Sequence, residues 1–172
     1  MITRRQILKG LIVSIGGSSL LNSCDGLAQV NTSTNGITRF YSEEENAWVS
    51  RISDLVIPQT ETPGAIDVNV PGFLDALMAD WANSKTQRDH HNSLEKIKAQ
   101  LGLDYLTIDK GIATNRLAQL DAKAFDGRPI DFREYRSLKG LITQAYFASE
   151  DGALLEQKWV AVPGSWNPRV EI

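Results

Sequence analysis

From Phe132 to Phe147 the chain places Phe132, Tyr135, Leu138, Leu141, Ile142, Ala145, Tyr146 and Phe147 at three- and four-residue spacing, the recurrence that lines one face of an α-helix. No alternating apolar and polar run of the kind that makes a half-buried strand competes with it. A chain patterned this way folds by burying helix faces against one another. Four more stretches read the same way. Ser42-Glu43-Glu44-Glu45 is a capping box with an acidic first turn, and Trp48, Ile52, Leu55 and Val56 follow at helical spacing until Pro58 stops the run. Pro71 suits the first turn of a second helix with Phe73, Leu74, Leu77, Met78 and Trp81 as its apolar stripe. A third helix is predicted from about Lys85 to Leu101, with Leu94, Ile97 and Leu101 inward and Gly102 ending it. A weaker fourth pattern carries Leu117, Leu120 and Phe125 before the turn Asp126-Gly127-Arg128-Pro129. The expected fold is all-α, a small bundle of about five short helices with one long ordered loop and an irregular C-terminal tail.

The long loop is the stretch Ile57-Pro58-Gln59-Thr60-Glu61-Thr62-Pro63-Gly64-Ala65-Ile66-Asp67-Val68-Asn69-Val70. A connection of this length without secondary structure is uncommon in a small bundle and is often functional. Pro58 and Pro63 restrict the backbone, Gly64 frees it, and Thr60, Thr62 and Asp67 can bond to nearby backbone groups. Two roles follow, a simple bridge between helices or a fixed edge presented to another protein. The tail after Gly152 carries Leu154, Leu155, Trp159, Val160, Val162 and Trp166, which are costly to leave in water. It packs on its own bundle or on a partner.

The N-terminus is an address rather than part of the bundle. Thr3-Arg4-Arg5-Gln6-Ile7-Leu8-Lys9 precedes a short apolar run diluted by Gly and Ser, too short to span a bilayer core as a helix. With its paired Arg4 and Arg5 it resembles a twin-arginine export signal, a route by which cargo crosses the inner membrane already folded. Two ends to the signal stay open. Leu21-Asn22-Ser23-Cys24 resembles a lipoprotein box that would lipidate Cys24, whereas Gly26-Leu27-Ala28 offers a small-x-small cleavage site. The division read from the sequence is a signal over residues 1–28, a flexible linker over 29–39 and a helical domain over 40–172. Loss of the signal removes Arg4, Arg5, Lys9 and Asp25 from 18 basic and 21 acidic residues, leaving 15 against 20. That mildly acidic balance argues against nucleic acid as a partner.

The chemistry-bearing residues are sparse. A single cysteine cannot form an internal disulfide, a thiolate zinc cage or an iron-sulfur site. The two histidines, His90 and His91, are adjacent, about 100° apart on a helix, so they cannot both face one metal, and they read as part of a solvated helix face. No Walker A, GxGxxG, HExxH or GxSxG pattern is present. Carboxylate pairs such as Asp67 with Asp75, or Glu150 with Asp151, read as surface charge rather than acid/base dyads. The sequence therefore assigns this chain no catalytic residue and no metal ligand.

Three runs near the loop, Leu55-Val56-Ile57-Pro58-Gln59-Thr60, Thr62-Pro63-Gly64-Ala65 and Val70-Pro71-Gly72-Phe73-Leu74-Asp75, resemble the signature of the gluconate 2-dehydrogenase subunit 3 family. Phe132, Tyr135, Lys139, Tyr146-Phe147-Ala148-Ser149-Glu150 and Val162-Pro163-Gly164-Ser165-Trp166 resemble its second block. The resemblance covers residues 40–168 and implies a small, cofactor-free subunit of a membrane-associated periplasmic sugar or sugar-acid dehydrogenase. It further implies a large FAD-containing partner of the glucose-methanol-choline class, a cytochrome c subunit carrying haem c, and passage of the complex through the twin-arginine translocase. On that basis Pro58, Thr60, Pro63, Gly64, Ala65, Pro163, Gly164 and Trp166 are expected at or beneath the docking surface. The competing expectation is a stand-alone periplasmic helical lipoprotein that binds or tethers.

Overall fold

The computed structural model describes residues 38–126, 132–160 and 164, and every regular element among them is helical. The expectations for Arg4, Arg5, Cys24, Pro163 and Trp166 lie outside the described residues. The capping box forms as its spacing predicts. The Ser42 amide donates to Glu45 Oε2 at 2.9 Å and the Glu45 amide donates to Ser42 Oγ at 3.1 Å, which starts α1 (Glu43–Val56). Helix α2 (Val70–Asp80) begins one residue before Pro71: Asn69 adopts a left-handed conformation (φ 54°) and its side chain accepts from the otherwise unpaired Gly72 amide, while Pro71 has no N–H to satisfy in the first turn. Helix α3 (Ser84–Leu101) is capped by Asn83 and stopped by Gly102 at φ 93°, where only glycine is unstrained. Helix α4 (Lys110–Phe125) is capped by Asp109, and α5 (Arg133–Phe147) follows.

Helix α5 packs against each of the other four. Its face of Tyr135, Leu138, Ile142, Ala145 and Tyr146 is buried against Trp48, Val49 and Ile52 of α1, Val70 and Leu74 of α2, Leu94 and Ile97 of α3, and Leu117 and Leu120 of α4, all within one core cluster. Full burial of each large apolar side chain contributes about 1.5–3 kcal/mol. Trp48 stacks on Tyr105, from the α3–α4 connection, at a ring separation of 5.3 Å. Burial pushes the Tyr105 hydroxyl up to about 12, so it stays protonated in the core. Across the surface of the bundle, Asp121 of α4 accepts from the Tyr135 hydroxyl at 2.9 Å and from Lys139 at 2.5 Å, joining α4 to α5.

Three expectations need correction. Trp81 is not in the α2 stripe but 84% exposed; the helix ends at Asp80, and the side chain beyond its last turn projects past the bundle. Phe125 is 57% exposed, because the inward stripe of α4 runs Ala113, Leu117, Leu120, Ala124, and the next residue points about 100° away. Its ring instead lies under the Lys139 ammonium at 4.9 Å. The chain after Gly152 is not irregular from the start: Gly152–Glu156 is a π-helical turn, with Gln157 N–H bonded to the Gly152 carbonyl. No described helix is long and apolar enough to cross a membrane.

The position of α5 in the core makes a quantitative prediction. Ile142 is fully buried, so Ile142→Ala should destabilise by about 2–5 kcal/mol. Leu103, 87% exposed, should change stability by less than about 0.5 kcal/mol on truncation to Ala. Urea unfolding midpoints of the two variants against wild type measure both.

Candidate functional site

The loop between α1 and α2 is folded on itself. Pro58 ends α1, and the chain then doubles back so that the Ala65 amide donates to the Ile57 carbonyl at 2.9 Å. Inside that return the Thr60 amide donates to the Thr62 carbonyl at 3.1 Å; just after it, the Asn69 amide donates to Ile66 and the Val70 amide to Ala65, each at 2.9 Å. The Asp67 carboxylate accepts from the Gly64 amide at 2.7 Å. A loop whose buried backbone groups are paired in this way holds one shape.

Glycine is required at its crossing point. A Cβ on Gly64 would stand 2.5 Å from the Gln59 amide nitrogen and 2.8 Å from the Pro58 carbonyl carbon, both backbone atoms that cannot move aside. Ala65 beside it is fully buried in the core. Pro58, Gln59, Thr60 and Glu61 remain exposed, while Thr62 and Pro63 are half-buried.

The far end of α5 supports this loop. The Tyr146 hydroxyl donates to the Pro63 carbonyl at 2.8 Å across 83 residues of chain. Thr62 Oγ1 donates to Glu156 Oε1 at 2.5 Å, which ties the loop to the π-helical turn. That turn lies close because of Gly152, where a Cβ would meet the Tyr146 carbonyl oxygen at 2.2 Å. Leu154, Leu155, Trp159 and Val160, on and just after the turn, are exposed. The Trp159 amide donates back to Ala153 at 2.9 Å.

The expected site residues thus divide. Pro58 and Thr60 stand on the exposed edge of the loop, whereas Gly64 and Ala65 are buried beneath it and Pro63 receives the hydrogen bond that braces it. Gly164 is exposed, with open space where a Cβ would stand.

A cleft of about 470 Å³ lies between the loop and α1, lined by Ala47, Ser50, Arg51, Asp54, Gln59, Gly64, Ile66 and Asp67. Each of its charged groups has one partner, although the buried Arg51 Nε has none. Arg51 donates to the Ile108 carbonyl at 2.7 Å and its guanidinium lies 5.9 Å from the centre of the Tyr105 ring. Asp54 pairs with Lys110 at 2.8 Å, and Asp67 holds the Gly64 amide. No nucleophile with an adjacent base is assembled among the named lining residues, and no described group of three or more His, Cys, Asp or Glu could hold a metal ion. The arrangement is a shaped surface.

Two readings of polar residues change with the structure. His90 and His91 are not a solvated face: His90 is buried and sits 2.8 Å from the Tyr41 hydroxyl, while His91 Nδ1 lies 2.6 Å from Glu45. Asp75 is buried rather than surface charge, and its carboxylate accepts from the amides of Arg39, Phe40 and Tyr41, each at 2.9 Å. The signal for both was in the spacing. Asp75 falls on the inward set Pro71, Leu74, Met78, and His90 falls four residues before Leu94, so each polar residue stands on an apolar face.

The family model described as gluconate 2-dehydrogenase subunit 3 matches residues 43–164. Comparison with curated proteins and with solved structures found no match in either. The matched span contains the loop, α5 and the π-helical turn.

The bracing of the loop can be measured. Tyr146→Phe deletes the hydroxyl that Pro63 receives and should cost about 0.5–1.5 kcal/mol. Gly64→Ala drives a methyl into the backbone and should cost about 1–3 kcal/mol. Thermal or urea unfolding gives both values, and amide exchange at residues 60–67 should accelerate in each variant.

Proposed function

Because the chain belongs to the gluconate 2-dehydrogenase subunit 3 family, we propose that it is the non-catalytic small subunit of a periplasmic, membrane-associated sugar or sugar-acid dehydrogenase. The family match over residues 43–164 carries this reading. In it, the large partner is a flavoprotein of the glucose-methanol-choline class that holds FAD and oxidises the substrate, and a cytochrome c subunit with haem c takes the electrons onward. This chain holds no cofactor of its own. Its paired Arg4 and Arg5 take the folded, flavin-loaded partner through the twin-arginine translocase, which suits a cofactor acquired inside the cell. Membrane attachment comes from a lipid on Cys24 or from the complex.

Docking falls to the exposed edge of the loop and to the apolar turn tied to it. Pro58 and Thr60 offer a rigid polar edge, and Leu154, Leu155, Trp159 and Val160 offer apolar surface of the kind found at interface cores. Gly64, Ala65 and Pro63 act beneath that edge by holding its shape, since a preformed loop loses little entropy on binding. Pro163, Gly164 and Trp166 are assigned to docking on the family resemblance alone, and Gly164 is exposed. Side chains on a braced loop and an aromatic anchor beside it favour this over a purely bridging role for the loop.

The test is an affinity pull-down of the full-length protein from its own host, with the eluate scanned for flavin absorbance and for a larger companion chain. A yellow companion is expected, and periplasmic export of both chains should fail when Arg4 and Arg5 are changed to Lys. Trp159→Ala and Trp166→Ala should each lower the yield of companion by tenfold or more, about 1.4 kcal/mol or above, without unfolding the bundle. A colourless eluate holding only this chain would overturn the proposal in favour of a lone lipoprotein. Wild-type recovery with folded tryptophan variants would overturn the docking surface alone.

A further inference from the structure

The described chain begins with Thr38-Arg39-Phe40-Tyr41, a segment without regular secondary structure that lies against α1, α2 and α3. It is held chiefly by side chains that can gain or lose a proton. The Asp75 carboxylate of α2 accepts from three consecutive amides, those of Arg39, Phe40 and Tyr41. Arg39 pairs in two-pronged fashion with Asp80 at 2.8 and 2.9 Å. The Tyr41 side chain is buried, with its hydroxyl 2.8 Å from His90 Nε2 of α3. Phe40 stacks on the His91 ring at 4.3 Å, and His91 is in turn held by Glu45 of α1 at 2.6 Å.

The groups facing His90 define what protonation would do. They are Tyr41 from the leading segment, Glu45 from α1 and His91 from its own helix, with Asp75 of α2 on the other side of Tyr41. Burial raises the Tyr41 phenol well above its ordinary value, so the hydroxyl keeps its proton and needs an acceptor. Neutral His90 with its proton on Nδ1 provides one at Nε2. A protonated His90 has no lone pair left there. The Tyr41 hydroxyl would then have to turn its own proton away and accept from Nε2–H, and a cation would be enclosed in a desolvated site beside the Phe40 and Tyr41 rings, 6.0 and 5.6 Å away.

We propose that Tyr41, His90 and Asp75 form an acid-sensitive clasp that holds residues 38–41 on the bundle at neutral pH and releases them as the surroundings acidify. Release frees the stretch of chain that links the helical domain to everything before residue 38. The bundle itself stays folded, because the core cluster is made mostly by α1–α5 and Tyr41 is the one member of it that release would withdraw. The inference does not rest on the identity of any partner.

The direction follows from the burial. His90 is pushed down from its ordinary 6.5 to about 4 by desolvation, with the neighbouring His91 adding to the effect and Glu45 opposing it. The clasped state therefore binds fewer protons than the released state between those two values. The His90 contribution is complete above pH 6.5 and is lost as pH falls toward 4. Over that window the ratio of clasped to released forms should fall by about tenfold or more.

Amide hydrogen exchange of the full chain, corrected for intrinsic rates, tests the clasp. Protection at Arg39, Phe40 and Tyr41 should fall at least tenfold between pH 7 and pH 4.5, while amides of Leu138–Ala145 change less than twofold. In His90→Gln the carboxamide oxygen can accept from Tyr41 without titrating, so protection should persist to pH 4.5. If that variant does not fold, Tyr41→Phe serves in its place, and protection at pH 7 should already be lowered with a flatter pH response. Constant protection of residues 39–41 in the wild type would overturn the proposal. So would an unchanged pH response in the variant.

Discussion

Everything in this bundle depends on the burial of one face of α5. That helix is the last of the five α-helices among the described residues, yet each of the other four packs against it. Tyr135, Leu138, Ile142, Ala145 and Tyr146 present a continuous apolar row, and without it α1, α2, α3 and α4 would each leave a hydrophobic stripe in water. Because the row is contributed late in the sequence, closing the core requires contacts over long stretches of chain. Local helix propensity alone does not supply them.

The same helix shapes the loop on which recognition is proposed to rest. Tyr146 belongs to the core through its ring and to the loop through its hydroxyl, which meets the Pro63 carbonyl. Immediately beyond, Gly152 lets the backbone come against the Tyr146 carbonyl, and the π-helical turn that results carries Glu156 to Thr62. The runs of sequence on either side of this junction, Thr62-Pro63-Gly64-Ala65 and Tyr146 to Ser149, are far apart in the chain and adjacent in space. A surface assembled in this way is rigid where it is buried and open where it is exposed, which is what docking a second folded protein asks of it.

Several carboxylates and histidines of this chain hold segments of backbone and side chain together. Asp75 caps three amides, Asp67 closes a turn, Asp121 bridges α4 and α5, and Glu45 divides its oxygens between Ser42 and His91. The Glu45 carboxyl stays below its ordinary range because the Ser42 amide and the His91 ring together outweigh its partial burial.

The helices, their caps and most of the inward residues were legible in the sequence, since hydrophobic spacing and capping chemistry act over three or four residues and need no distant partner. Ser42, Glu45, Gly102 and the α5 stripe behave as their neighbours dictate, and the loop's economy of Pro and Gly announced a fixed shape. Trp81 and Phe125 went astray because a stripe does not say where its helix ends or which of two adjacent residues carries it on. His90 and Asp75 stood on apolar faces in plain spacing, but a polar group is tolerated there only when a partner arrives, and Tyr41 and the amides of Arg39 to Tyr41 come from an element more than thirty residues away. Local sequence thus determined which segments become helices and which face each one buries. The tertiary structure alone decided which buried polar groups are paired, how Tyr146 braces Pro63 and where the chain after α5 turns, because those outcomes depend on satisfying hydrogen bonds between segments that the sequence does not place together.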